Sequence, residues 1–440
     1  MRKVIIMGAG GRDFHDFAMV FRDDEDRRVV AFTAAQIPGI ANRTYPAALA
    51  GPRYPDGIPI RPEAEVGDIA RREGVDEIVL AYSDLPHVEV MHKASLVLAT
   101  GADFRLLGPR ATMLHSGRPV VAVCAVRTGA GKSQTSRRVA GLLADAGLAV
   151  VLIRHPMPYG DLERMRVQRF ATLDDIDAAG PTIEEREEYE APVRMGVVMY
   201  AGVDYAEIVR RAEAEADVIV WDGGNNDFPF VAPTLLITVV DPLRPGDEVT
   251  YHPGETTLRM ADVVVVNKVD SAELDAVAQV VANVRAANPR ATVVTAASPV
   301  TLEDGPDLVG RRVLVVEDGP TLTHGGMPFG AGTVAARQAG ATAFVDPRPY
   351  AIGSIAETFA AYPHLGAVLP AIGYGERQLA DLAATIRATP CDVLVTGTPI
   401  DLARLIDVGR PVRRATYELR EVGHPTLADV LAPHIEGWRR

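Results

Sequence analysis

The sequence predicts a multi-domain α/β protein, and three observations predict it. Short Val/Ile/Leu-rich runs ending in Gly or polar turns alternate with helix-length stretches along the chain, the pattern of parallel strands covered by helices. The alternation restarts twice, with soft boundaries near Ser116 and Gly310. A chain of 440 residues also exceeds what one core of roughly 100–200 residues serves.

In order, "KVIIMGAGGRDF", "RRVVAFTAA", "DEIVLAYSD" and "DFRLLGP" read as the strands of a first, Rossmann-like domain over 1–117. The proline-rich stretch "YPAALAGPRYPDGIPIRPEAE" between its second and third strands reads as a loop. "RPVVAVCAV", "AVVLIRHP", "DVIVWDGG", "LLITVVDP", "DVVVVNKVD" and "ATVVTAAS" form a second parallel sheet over 118–309. "RRVLVVEDG", "ATAFVDP", "GAVLPAIGYG" and "CDVLVTGTP" give a C-terminal α/β domain over 310–440.

Composition limits the function. The net charge of −13 argues against a nucleic-acid partner or an anionic membrane surface, so an acidic substrate needs a local cationic pocket. No apolar run reaches the ~18 residues of a membrane-spanning helix. The basic, apolar N-terminus passes into a glycine turn instead of a cleavage site. The only two cysteines, Cys124 and Cys391, lie in separate strand-like runs, which suits the cytoplasm. Of 45 basic residues only Lys3, Lys93, Lys132 and Lys268 are lysines, and two of these four fall in nucleotide-type motifs, where a compact ammonium is not interchangeable with a guanidinium.

The first such motif is "AVRTGAGKSQTSRR". A buried strand, a glycine turn, G-K-S and a helix occur in the order of a phosphate-binding loop, marking the central unit as a P-loop NTPase domain with a parallel sheet. Arg127, Thr128, Gly129, Ala130, Gly131, Lys132, Ser133 and Gln134 are the expected nucleotide-binding residues. Lys132 would reach the β/γ-phosphates and Ser133 would ligate Mg²⁺. Val126 stands where the first glycine of the usual pattern belongs. One variant of the loop carries a lysine as its second residue, and Arg127 aligns with it as a candidate charge stabiliser.

Asp222, at the end of "VIVWD", supplies the carboxylate a P-loop metal site needs, so Ser133 and Asp222 are the expected metal ligands. In "VVVVNKVD", Asn267, Lys268 and Asp270 match the base-reading N-K-x-D motif of GTP-binding proteins; Asp270 would face guanine N1–H, although an Asn pairs with adenine as well. Arg154 and His155 close a strand where α/β ligand crevices form. With Arg164, Arg166 and Arg169 on a helix-like segment, they are candidates for the cationic pocket. The acidic run Glu184, Glu185, Glu187, Glu188 and Glu190 is a candidate source of a base or metal ligand, and reads more simply as a solvated face paired with Arg186. Two further glycine turns, "GAGGRDF" and "THGGMPFGAG", are weaker anion-cradle candidates; the first lacks the full dinucleotide fingerprint.

Taken together, "GAGGRDFHDF", "YPDGIPI", "AVRTGAGKSQTSR", "IRHPMPYGDL", "TIEEREEYE", "WDGGNNDFPF", "DPLRPGDEVTYHPGE" and "EDGPTLTHGGMPFGAG" resemble the cyclic 2,3-diphosphoglycerate synthetase family, some bacterial members of which are labelled GTPases. The resemblance implies ATP- and Mg²⁺-dependent cyclisation of 2,3-diphosphoglycerate, a small phosphorylated substrate, with release of ADP and phosphate. On that reading Lys132, Arg127, Asp222, Arg154 and His155 carry the chemistry. A homodimer is expected, because this P-loop class often acts across a two-fold axis. The N-K-x-D motif leaves GTP and a regulatory or metal-delivery GTPase as the alternative.

Overall fold

Runs of residues buried on both faces make the central strands of a parallel sheet, and three such sheets organise the chain. The computed structural model describes residues 1–35, 40–155, 160–224, 227–323, 325–371, 376–398 and 402–438.

The first segment holds β1 (Arg2–Met7), β2 (Arg27–Ala34), β3 (Thr44–Tyr45), β4 (Ile58–Pro62), β5 (Glu77–Leu80), β6 (Leu85–Pro86) and β7 (Asp103–Leu106). Six of these form a sheet in the order β3-β4-β2-β1-β5-β7. The proline-rich stretch expected to be a loop instead carries β3 and β4. Ile58 and Ile60 alternate into the core beside Phe32 and Tyr45, and that two-residue period outweighs Pro59 between them and Pro62 at the strand's end.

The central sheet contains β8 (Val120–Ala125), β9 (Val150–Arg154), β10 (Gln168–Phe170), β11 (Val198–Ala201), β12 (Val218–Asp222), β13 (Leu235–Val240), β15 (Val263–Val266) and β16 (Thr292–Ala297). Between them β14 (Tyr251–His252) pairs with β6 and ties the first segment to the second. The third sheet comprises β17 (Val300–Leu302), β18 (Arg312–Asp318), β19 (Ala343–Phe344), β20 (Leu369–Ala371), β21 (Val393–Gly397) and β22 (Val412–Tyr417). β23 (Arg420–Glu421) returns to pair with β16.

Side chains of β8 alternate between two cores. Val121, Val123 and Ala125 pack with Val139 and Leu143 of the helix Lys132–Asp145, while Ala122 and Cys124 pack with Ile208 and Trp221 on the other face. Leu427 and Leu431 of the last helix join the first of these cores. The parallel strands β8, β9, β12, β13 and β15 therefore present their carboxyl ends along one edge, where ligand crevices of such sheets lie.

Candidate functional site

The turn between β8 and the helix Lys132–Asp145 is shaped by what holds its carbonyls. Arg244 Nη2 donates to Thr128 O at 2.9 Å, Lys268 Nζ to Gly129 O at 2.6 Å and Asn267 Nδ2 to Ala130 O at 2.9 Å. Three successive carbonyls are thus held by side chains, Ala130 N turns back to Arg127 O at 3.2 Å, and no side chain caps the helix that follows. Gly131 has φ +108°, and a Cβ there would collide with Asn267, so glycine is required twice over. Val126 replaces the expected first glycine because its side chain points into the core with Val240 and Leu258. The close approach is supplied from the opposite side: a Cβ at Gly254 would stand 2.9 Å from the Val126 Cα.

Beneath the loop, Asp222 collects the cations. Lys132 Nζ reaches its Oδ1 at 2.5 Å, Ser136 Oγ the same oxygen at 2.8 Å, and Arg154 Nη1 its Oδ2. Arg154 Nη2 also meets Glu188 Oε1 at 2.6 Å. Burial works to raise the Asp222 carboxyl, but Lys132 and Arg154 together outweigh it and hold the pKa near about 2. Ser133 Oγ lies 3.4 Å from Glu188 Oε1. This hard-oxygen set fits Mg²⁺. Both Asp222 oxygens are engaged, so Asp222 orders Lys132 and Arg154, while Ser133 and Glu188 stand beside it.

A cleft opens over the loop, with Thr128, Lys132, Arg154, Glu188, Phe329 and Tyr417 among its walls. Nearly every cation in it already carries a carboxylate. Arg127 lies on the Tyr251 ring at 3.7 Å and binds Asp84 at 2.7 Å and Asp247; it links the first two segments and is not free for a phosphate. Lys268 pairs with Asp241 at 2.8 Å. Arg137 also lines the cleft, and no carboxylate among the described residues pairs with it. Asp270 gives one oxygen to Ser298 N at 3.0 Å, and Ser298 Oγ donates to Gln134 Oε1 at 3.2 Å.

His155 turns away from this cleft. Its ring is enclosed between Gly11 and Gly224, where a Cβ at either position would collide with it. Burial, with the positive charges of Arg154 and Lys132, lowers its pKa to about 3 and keeps it neutral.

The other arginines expected in the pocket are elsewhere. Arg166 pairs with Asp204 at 2.9 Å and Arg169 with Glu215 at 2.7 Å, both on exposed surface. Arg169 belongs to the edge strand β10, not to a helix, because Phe170 in that strand is needed in the core. The acidic run is divided in use: Glu190 pairs with Arg186 as expected, while Glu188 faces the P-loop. Ser136, Asp241 and Arg244 were not singled out by the sequence, and Glu188 only as one member of the acidic run. Only the position of Ser136, one helical turn beyond Lys132, was a usable signal. Asn225, Asn226 and His324 lie outside the described residues.

The two weaker glycine turns are filled from within. Asp13 accepts from the amides of Gly10, Gly11 and Phe14 at 2.8, 3.2 and 2.8 Å. Glu317 accepts from Gly330, Gly332 and Thr333 at 3.0, 2.9 and 2.7 Å.

No protein-family model matches the chain. Along its full length it is 57% identical to arginine synthetase ArcE of Thermococcus kodakarensis, covering 97% of that protein. Among solved structures it is similar to LpxK of Aquifex aeolicus in complex with ATP: 14% identity, TM-score 0.44, 78% of this chain and 95% of that one. It is also similar to the hydrogenase maturation factor HypB of Archaeoglobus fulgidus, with 15% identity, TM-score 0.28, 41% of this chain and 81% of that one.

Proposed function

The chain belongs to the family of the Thermococcus arginine synthetase, and from that premise we propose that it is an ATP-dependent synthetase whose product is arginine. A guanidinium carbon differs from a ureido carbon by a nitrogen in place of an oxygen. A P-loop activates such an oxygen by moving the γ-phosphoryl group of ATP onto it, with release of ADP. A nitrogen nucleophile then adds to that carbon, the C–O bond breaks and inorganic phosphate leaves.

The residues divide the work by position. The uncapped amides at the start of the helix Lys132–Asp145 cradle the phosphates, and Lys132 exchanges Asp222 for the transferring group. Arg154, held between Asp222 and Glu188, faces the acceptor end. Ser133 and Glu188 would hold Mg²⁺, which when bound offsets charge on the β- and γ-phosphates.

The observation that carries this reading is the near-neutral cleft: Arg127, Lys132, Arg154 and Lys268 each already face a carboxylate. That favours a zwitterionic acceptor with one uncharged reactive group over one bearing two phosphates. Cyclisation of 2,3-diphosphoglycerate is the second reading; it is supported by the motif series and by Arg137, and it would require further pairs to open besides Lys132–Asp222, which either reading opens.

The test is product formation by the purified protein with Mg²⁺ and ATP or GTP. A ureido amino acid is supplied with ammonium or glutamine, or 2,3-diphosphoglycerate is supplied alone. Arginine made in step with ADP is the expected result. ³¹P detection of a cyclic anhydride would replace it with the second reading, and acceptor-independent GDP release would leave a GTPase.

A further inference from the structure

Among the described residues five cations line the cleft over the loop: Arg127, Lys132, Arg137, Arg154 and Lys268. Four of them face carboxylates. Arg137 is the exception. Its side chain is half-buried in the cleft wall, and no hydrogen bond, ion pair or aromatic ring among the described residues engages its guanidinium.

The helix Lys132–Asp145 fixes where that guanidinium starts. Residues four apart share one side of a helix, so Ser133, Arg137 and Gly141 form a row. Ser133 Oγ lies 3.4 Å from Glu188 Oε1, and a Cβ at Gly141 would stand 3.5 Å from Met195 Cε. Both ends of the row therefore meet the helix Ile183–Arg194 and the residue that closes it. Arg137 sits between them, one turn past Ser133, on the side where Glu188 meets Arg154. Gln134, which bonds to Ser298 at the base-binding end, belongs to the neighbouring row.

The other carboxylates lining the cleft are spent within the third segment. Asp318 accepts from Thr321 N at 3.1 Å and from Thr321 Oγ1, and Glu317 holds the turn at Gly330. The same segment adds apolar wall through Met327, Phe329 and Val334. One free guanidinium and an apolar wall in a single cleft suit a ligand that carries one carboxylate on an aliphatic stem. A guanidinium fork meets a carboxylate with two parallel hydrogen bonds.

We infer that Arg137 binds the α-carboxylate of the amino acid acceptor, an inference resting on the arginine-forming reading above. The acceptor then lies along the helix. Its carboxylate is held at Arg137, its methylenes rest on the third segment's wall, and its ureido oxygen meets the transferring group at Lys132. Arg137 binds and orients; it makes and breaks no covalent bond.

The test compares the wild type, Arg137→Gln and Arg137→Lys with a ureido amino acid and with its α-carboxamide, which keeps the shape and loses the charge. Turnover is read as ADP and guanidino product. The wild type is expected to show a kcat/KM at least tenfold higher for the acid than for the amide. Arg137→Gln is expected to raise the KM for the acid at least tenfold, to leave the KM for ATP within twofold and to shrink the acid preference below threefold. Arg137→Lys should recover part of that preference, because an ammonium keeps the charge and loses the fork. A wild type that uses the amide as well as the acid overturns the assignment without any variant. An unchanged acceptor KM in Arg137→Gln overturns it too, as does a KM change for ATP in place of the acceptor, which would give the guanidinium to the nucleotide. A wild type that makes no guanidino product from either compound overturns the arginine-forming reading itself, and this assignment with it.

Discussion

The turn after β1 and the turn after β8 are both strand, glycines, helix, yet they use their amides in opposite ways. In the first, Asp13 folds back and its carboxylate takes the place a phosphate would occupy. In the second, Arg244, Lys268 and Asn267 hold the carbonyls and no side chain caps the helix. The turn before the helix Ala331–Gln338 repeats the first solution with Glu317. A glycine pattern sets where amides can point; whether a ligand is needed depends on whether the chain brings its own anion.

The most severe way to break this contrast is Lys132→Ala. Removing the cation that meets the transferring group should lower turnover by about 10²–10³-fold, read as ADP release; the thermal melt should fall as well, because the buried Asp222 loses one of its two cations. Retention of a tenth of wild-type activity would mean the open turn is not where the chemistry occurs. The filled turns should respond the other way. Glu317→Ala leaves three amides and the Thr333 hydroxyl without their acceptor, at about 1–3 kcal/mol for each group that stays buried and unpaired. Asp13→Ala should cost somewhat less. Denaturant melts measure both, and any protein that remains folded should keep the wild-type KM for ATP.

A smaller effect concerns pH. Burial raises Asp16 to about 6 and Asp227 to about 7, well above the usual carboxylate range, against the pull of Arg12. The folded state therefore binds these protons more tightly than the unfolded chain does. Their contribution to stability is full below pH 4 and is lost between about pH 4 and 7. For Asp16 the loss is on the order of 2–3 kcal/mol. Melts of wild type and Asp16→Asn across that range should converge at the acid end and separate in the variant's favour as pH rises; parallel curves would show that Asp16 is not desolvated as the structure has it.

Much of this architecture was legible in the sequence because it rests on local patterns. Continuous apolar runs such as "VVVV" mark central parallel strands, and G-K-S after a buried strand marks the loop. What could not be read was pairing across distance. Arg127 and Arg154 look alike as free cations until Asp84, Asp247, Asp222 and Glu188 arrive from other elements. Glu188 sits in a run of acidic residues where nothing local distinguishes it from Glu190. The proline-rich stretch misled for the opposite reason: its local turn signals were strong, and the tertiary contacts of Ile58 and Ile60 overrode them.

The finest test of the open turn lies at its base-binding end. Asn267 and Lys268 are committed to the loop's carbonyls, and the Asp270 carboxylate already accepts from Ser298 N. Of the N-K-x-D motif, that leaves the second Asp270 oxygen to face a base. Guanine would donate to it through N1–H and N2–H₂, whereas adenine has no N1–H. If the nucleotide is ATP, Asp270→Ala should change the KM for ATP by less than about threefold and weaken GTP by about tenfold, near 1.4 kcal/mol. A tenfold loss for ATP instead would mean that Asp270 acts by holding Ser298 and Gln134 beneath the loop, and the motif would then belong to the loop's architecture more than to base choice.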